Sequence, residues 1–485
     1  MRNTKKLLLT IVLFGLSLKS QALVLDFSGN YRLEGFQMQN AELDSIRRDT
    51  SYILHHLYLK PKIIAADGLN IYSRFDLFNN ANYPNSQMGQ TFGQSPGLGT
   101  ASPTPTTNDS NSNVLTQNQK DEDFVATELY LSAISEYGQF IAGRKMFGFG
   151  LGISHNAGQG AFDHWFDSKD MLSFTMGLGN FNFTPIFAKV SESKYNLADD
   201  INEYMLDISY HNAETNIKFG ILYESRVAAP SSNDAPKGTA PGDAYGGAIN
   251  TRPDDWASQR LNLFYERNFE TLRVGFEAAT NTGSTGVQTT IEEVTINSVG
   301  LALELDYTPK GSKWGWSLHS VYASGDDPST DGKYEGFIFD KNYDVAMLLG
   351  NRVLGQANIF RTNLARNASV PTVAGDTSAS AFADEEALSN VLILAPQAIY
   401  HWKPNLDLGF LVAFGQLNTE PLVGNDTDTD LGYEFDVWLN YKPHDRLTWY
   451  NGMGFLFPGK AFAGGTNNFD TEISFALTTK AAISF

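Results

Sequence analysis

The sequence predicts an all-β fold, a transmembrane antiparallel β-barrel of about 18 strands (range about 16–18) with short periplasmic turns and long extracellular loops. Three observations carry that prediction. The last strand alternates to its final residue, with Ile473, Phe475, Leu477, Thr479, Ala481, Ile483 and Phe485 on one face and Glu472, Ser474, Ala476, Thr478, Lys480, Ala482 and Ser484 on the other, the period of a sheet with one apolar and one wet face. Alternating segments of the same kind recur in pairs around tight turns along the chain. Beyond the N-terminus no stretch approaches a transmembrane helix, and a chain that crosses hydrocarbon without one must close its sheet so that every backbone group is paired.

At the N-terminus, Arg2, Lys5 and Lys6 precede an apolar run from Leu7 to Leu18, and Ser20-Gln21-Ala22 places small residues where a signal peptidase reads,. Residues 1–22 therefore read as a secretory signal and 23–485 as the barrel. A spanning anchor would need about 20 apolar residues. The chain has no cysteine, so neither a lipid anchor at the cleavage site nor disulfides are expected. Aromatic residues make up 13% and glycines number 43, and the net charge of -19 argues against nucleic acid as a partner.

The first strand sets Leu25, Phe27, Gly29, Tyr31 and Leu33 against Asp26, Ser28, Asn30, Arg32 and Glu34. The next pair runs from about Ser51 to Ile64 and from Leu69 to Phe78 around Ala66-Asp67-Gly68,. Further hairpins are expected at Glu136-Tyr137-Gly138, Gly179-Asn180, Asn212-Ala213-Glu214, Arg267-Asn268, Pro309-Lys310-Gly311, Lys403-Pro404-Asn405 and Lys442-Pro443-His444. Between them lie long polar stretches at Ala81–Glu122, Val227–Trp256 and Gly325–Ala387, expected as extracellular loops. Read instead as linkers between soluble domains, they would not be followed each time by the same strand rhythm.

A barrel of this size has a lumen wide enough for water unless loops fill it. The inward positions carry many charges, which a dry core would not tolerate, so the lumen is expected to be wet. Basic residues fall mostly in the first two thirds and acidic ones dominate from Glu277 onward, which suggests a basic wall facing an acidic one. The candidate pore-lining residues are Arg32, Lys60, Lys62, Arg74, Arg144, Lys145, Lys218, Arg260 and Arg273, cations able to hold carboxylates by charge-assisted hydrogen bonds. The register at Arg144 is ambiguous by one residue, and a slip would exchange Arg144 and Lys145 between lumen and lipid.

The densest motif is Gly143-Arg144-Lys145-Met146-Phe147-Gly148-Phe149-Gly150, followed by Gly158-Gln159-Gly160-Ala161-Phe162-Asp163-His164-Trp165 and Ser168-Lys169-Asp170. Glycine crowded with aromatics marks a chain that bends sharply and approaches other backbone closely. A strand ending in Gly-Arg, a glycine-rich excursion, then Phe-Asp and a polar turn before the next strand resembles the alginate-export family of outer-membrane barrels. The family usually continues Gly-Arg with Gln where this chain has Lys145, and its strongly basic constriction is matched only in part. The resemblance implies a passive pore in the bacterial outer membrane for acidic sugars, an anionic polysaccharide such as alginate, or smaller hydrophilic solutes.

Other chemistry finds less support. Asp426, Asp428 and Asp430 suggest a calcium loop, but Leu431 and Val437 occupy the glycine and bidentate-glutamate positions of an EF-hand,. The histidines lack metal-ligand spacing, so no metal or other cofactor is expected. An enzyme would need a nucleophile, base and orienting acid together; the one set that can be assembled is Asp163 and His164 with Ser154 or Ser168, and no catalytic activity is expected. The rival to a pore is a plugged, non-conducting barrel acting as an adhesin or structural protein. Expected partners are outer-membrane lipid, a small hydrophilic or anionic carbohydrate solute, and the barrel-assembly machinery through the strand ending at Phe485.

Overall fold

The computed structural model describes residues 24–41, 43, 49–77, 124–191, 201–228, 257–288, 293–326, 332–352, 354, 387–420, 428–462 and 472–485. The expected signal (1–22), the stretch Ala81–Glu122, most of Val227–Trp256 and Asp426 lie outside them.

Among the described residues nineteen strands follow one another. They are β1 (Val24–Gln39), β2 (Thr50–Ala66), β3 (Leu69–Leu77), β4 (Phe124–Ser135), β5 (Gly138–Met146), β6 (Ser168–Leu178), β7 (Phe181–Ser191), β8 (Ile201–Asn212), β9 (Ile217–Ala228) and β10 (Ala257–Asn268). Then come β11 (Leu272–Gln288), β12 (Glu293–Tyr307), β13 (Trp314–Ala323), β14 (Lys333–Tyr334), β15 (Val391–Lys403), β16 (Leu406–Leu417), β17 (Asp430–His444), β18 (Leu447–Pro458) and β19 (Ser474–Ser484). The two-residue β14 lies parallel beside β12; the other eighteen form one antiparallel sheet in sequence order, closed where β1 pairs with β19. The even count is that of bacterial single-chain barrels.

Closure needs room at one point. Gly29 and the last residue exchange backbone hydrogen bonds, Gly29 N to Phe485 O at 2.9 Å and Phe485 N to Gly29 O at 3.0 Å. A Cβ at residue 29 would stand 2.6 Å from both the Phe485 ring and the Tyr58 carbonyl, so the seam tolerates only glycine there.

The alternation read from the sequence sets the two faces. Leu25, Phe27, Tyr31, Leu33, Leu261, Leu263, Leu477 and Ile483 are exposed on the outside of the barrel, as a lipid-facing wall requires. Aromatic side chains gather at its two ends. Trp314, Trp316, Tyr400 and Trp402 stand near the short turns, and the pairs Phe187–Tyr204, Phe414–Tyr433 and Phe455–Phe475 near the long-loop end. Such girdles mark the two membrane interfaces.

Six of the eight expected turns fall between strands where the sequence places them. The other two sit slightly later: β10 runs through Arg267 and Asn268 to turn at 269–271, and β17 runs through Lys442–His444 to turn at 445–446. Arg267 and Asn268 are still paired in the first ladder, and His444 in the second after a bulge at Lys442 and Pro443.

The third long stretch departs from expectation. Of its described residues, 332–352 fold into the barrel, where Phe337, Phe339, Leu348 and Leu349 bury against the inward faces of β12 to β19. Gly300 makes this possible, since a Cβ there would meet the Phe337 ring at 2.3 Å. The glycine-rich segment 147–167 between β5 and β6 also folds inward, with Phe149 edge-on to Phe264 of β10 at 6.3 Å.

Candidate functional site

On the wall formed by β2 to β5, lysines alternate with tyrosines. Lys62 lies 5.2 Å from the Tyr72 ring, Tyr72 stacks on Tyr130 at 4.9 Å, and Lys145 lies 5.8 Å from Tyr130. Lys60 lies 5.2 Å from the Tyr58 ring. The register explains the grouping: Asn30 opposes Tyr58, Arg32 opposes His56, Lys62 opposes Tyr72 and Tyr72 opposes Tyr130, all on the inner face. Among the described residues none of Lys60, Lys62 and Lys145 forms an ion pair. A lysine over a tyrosine face keeps most of its charge available, because the ring offers only a quadrupole.

The other inward cations are engaged. Arg74 donates to both oxygens of Asp76, at 2.8 and 2.7 Å, and stacks on Tyr58 at 4.2 Å. Arg32 pairs with Glu34 at 2.8 Å and donates to the Asp163 carbonyl. Lys218 holds Glu266 at 2.8 Å, and Arg273 bridges Glu266, Glu304 and Asp306 at 2.8–3.0 Å. Arg260 donates to Asn281 at 2.6 Å. Paired charges hydrate the wall but present little net field to a passing ion.

Arg144 does not line the lumen. It opposes the lipid-facing Leu129, and its guanidinium binds Asp170 on the outer surface at 2.7 Å through two bonds. Lys145 takes the inward position. The one-residue ambiguity is resolved against Arg144 because β5 pairs Tyr130, an inner-face residue, with Gly143.

The acidic residues also differ from expectation. Glu277 accepts the amides of Leu151 and Gly152 at 2.5 and 3.0 Å. Glu434 accepts those of Leu348 and Leu349 at 2.8 and 2.6 Å, and Asp436 that of Met347 at 3.1 Å. All three carboxylates are buried. They cap successive amides of the two inward segments instead of forming an acidic wall toward the solute path. Water is excluded around these bonds, so an amide that lost its acceptor there would be stranded.

The two segments also join each other across the lumen. Asn342 donates to the Trp165 carbonyl at 2.6 Å and accepts the amides of His164 and Trp165 at 3.1 and 3.0 Å, while Asp340 N donates to the Ile153 carbonyl at 2.9 Å. The carboxyl of Asp340 is pushed up to about 7 by its burial and by the neighbouring Asp167 and Asp163 carboxylates. His164 binds Glu34 at 2.8 Å and His155 binds Glu224 at 2.8 Å, tying segment 147–167 to the wall. The Asp163–His164–serine grouping is not assembled, since His164 is turned to Glu34 and Ser154 Oγ is buried without a hydrogen-bond partner among the described residues. No group of three or more metal-ligating side chains occurs among the described residues.

Between segment 147–167 and the wall of β5 to β8 lies a polar cavity of about 580 Å³. Lys145, Gln159, Ser173, Thr184 and Asp207 line it. Its size is that of a small-molecule site. The sequence reading missed the tyrosines of the lysine wall and the capping role of the carboxylates. The tyrosines were open to detection, because Tyr58, Lys60 and Lys62 share one face at a spacing of two.

A closed antiparallel barrel with a lipid-facing apolar surface, two aromatic girdles and a charged lumen is an integral protein of the bacterial outer membrane. No protein-family model matches the chain, and no curated protein matches it. Among solved structures it is similar to the outer-membrane protein OpdK of Pseudomonas aeruginosa (10% identity, 95% of this chain and 99% of that one, TM-score 0.47). It is also similar to OpdQ of Pseudomonas aeruginosa (7%, 95% and 98%, 0.48) and to an anion-selective porin from Comamonas acidovorans (10%, 96% and 100%, 0.43).

Proposed function

We propose that the protein is a passive pore for small hydrophilic solutes carrying a carboxylate, acidic sugars among them. The observation that carries this reading is the set of inward lysines, Lys60, Lys62 and Lys145, held on tyrosine faces with no ion pair among the described residues. A carboxylate moving along that wall exchanges one ammonium for the next without breaking an internal salt bridge. The two segments that cross the lumen, and the cavity of about 580 Å³ beside one of them, favour a monomer or short oligomer over a long polysaccharide such as alginate. The strand ending at Phe485 is the segment we assign to recognition by the barrel-assembly machinery, and residues 1–22 the export signal.

The test is the zero-current potential of the refolded barrel in a planar bilayer across a potassium chloride gradient. Anion preference that falls toward none in Lys60→Gln/Lys62→Gln/Lys145→Gln supports the reading. A cation-selective barrel, or one that passes no current, overturns it.

A further inference from the structure

The cavity beside segment 147–167 is lined by one lysine and two aspartates, Lys145, Asp163 and Asp207; Asp163 accepts the amide of Gly160 at 2.7 Å, which leaves Lys145 and Asp207 as the two charges open to a solute. Lys145 projects from β5 and Asp207 from β8, and among the described residues neither forms an ion pair. Asp207 faces inward, opposite Thr184 of β7 and Leu222 of β9. Its Oδ1 is buried and has no hydrogen-bond partner among the described residues.

That sets Asp207 apart from the other inward carboxylates. Glu34, Asp76, Glu224, Glu266, Glu277 and Glu434 each accept a hydrogen bond from a cation, a histidine or backbone amides. A buried carboxylate oxygen without a donor is costly, and the side chain that carries it lines a cavity large enough for a small molecule. Around it the lining is polar but supplies no second cation. The Thr184 hydroxyl is bonded to that of Thr175 at 3.0 Å, and His155 is held by Glu224.

From this arrangement we infer that the cavity is a recognition site for zwitterionic solutes of the α-amino-acid type, the carboxylate on Lys145 Nζ and the ammonium on Asp207. The inference rests on the reading of the lumen as a solute path and adds a second requirement to it. A plain carboxylate satisfies Lys145 but is repelled by Asp207; a plain amine meets the reverse. Only a solute with both groups completes both partners.

Alanine, propionate and ethylamine separate these cases, since they share a small carbon skeleton and differ in which charges they carry. Binding to the full-length barrel in detergent is measured by calorimetry at constant pH, and interruption of the single-channel current by each solute is recorded in parallel. Alanine is expected to bind at least about tenfold more tightly than either of the other two. Lys145→Gln and Asp207→Asn should each remove that advantage, and Asp207→Asn should in addition improve propionate, a gain that a damaged fold would not produce. A conducting, anion-preferring barrel that binds alanine no better than propionate overturns this inference alone. A barrel without current overturns the pore reading and this inference with it.

Discussion

Two sides of one lumen, built from strands of the same sheet, are finished in opposite ways. On β2 to β8 the inner face carries Lys60, Lys62, Lys145 and Asp207, with tyrosines and threonines between them. On β12 to β19 it carries Ala302, Val321, Ile393, Ala395, Leu411, Ala413 and Ala476, packed under segment 332–352. The first side keeps charged groups open beside a smaller apolar patch, Ile141, Met171, Ile186 and Met205 packed with Phe147; that charged part is wet, and the second side is dry. The difference teaches that a charge inside a barrel has meaning only through what it touches. Glu434 and Asp436 belong to the dry side although they are acidic, because they are spent on backbone amides. Lys145 belongs to the wet side because, among the described residues, it forms no ion pair and lines the cavity.

The largest effect is expected from breaking the dry side. Glu434→Ala leaves the buried amides of Leu348 and Leu349 without their acceptor, at about 1–3 kcal/mol for each. Segment 332–352 should loosen, lowering the thermal transition and raising single-channel conductance at least about twofold, with the heat-modifiable gel shift confirming that the barrel still folds. Unchanged conductance would mean that the segment is held by its apolar packing alone, where fully burying one side chain such as Phe337 contributes about 1.5–3 kcal/mol.

Next in size is a pH effect at the junction of the two segments. The Asp340 carboxyl titrates near 7 in the docked arrangement against an ordinary value of 3.8, so the docked form binds a proton more readily than the released one. Docking is therefore strongest below about pH 4 and weakens as pH rises through about 7. Conductance should be higher at pH 8 than at pH 5, and Asp340→Asn should flatten that dependence.

On the wet side, Lys60→Gln/Lys62→Gln/Lys145→Gln should shift the anion-to-cation permeability ratio severalfold toward unity while leaving the stability within about 1 kcal/mol, because among the described residues these ammonium groups hold no ion pair whose loss would strand a partner. The smallest effect is expected at Arg144→Gln. Its exposed pair with Asp170 contributes about 1 kcal/mol or less, and selectivity should not move, since the side chain faces outward. A loss of anion preference equal to that of Lys145→Gln would contradict the observed register.

The outer face of the barrel was legible in the sequence because lipid leaves no alternative there: Leu25, Phe27, Tyr31 and Leu33 repeat at a spacing of two and all face out. The same period assigns seven of the nine candidate cations to one face and leaves Arg144 and Lys145 open. It fails at Arg144 because β5 is apolar on both faces at Phe140 and Ile141, so its alternation carries no direction. The dry side left a trace that was not used. Val391-Leu392-Ile393-Leu394 is apolar on both faces, which in a barrel means that something covers the inner one. What covers it was not legible, since the amides capped by Glu434 lie 85 and 86 residues away in the chain and no local pattern links them.

The division of the lumen is tested most directly by cysteine accessibility, for which a chain without cysteine is a clean background. Single variants Lys62→Cys and Lys145→Cys on the wet side, and Ile393→Cys and Ala413→Cys on the dry side, would be exposed to a negatively charged thiol reagent while the current through the reconstituted barrel is recorded. Rapid modification that lowers the current at positions 62 and 145, with positions 393 and 413 silent, is the result expected of a lysine-lined path beside a filled half. Equal reactivity on the two sides, or silence at positions 62 and 145, would contradict it.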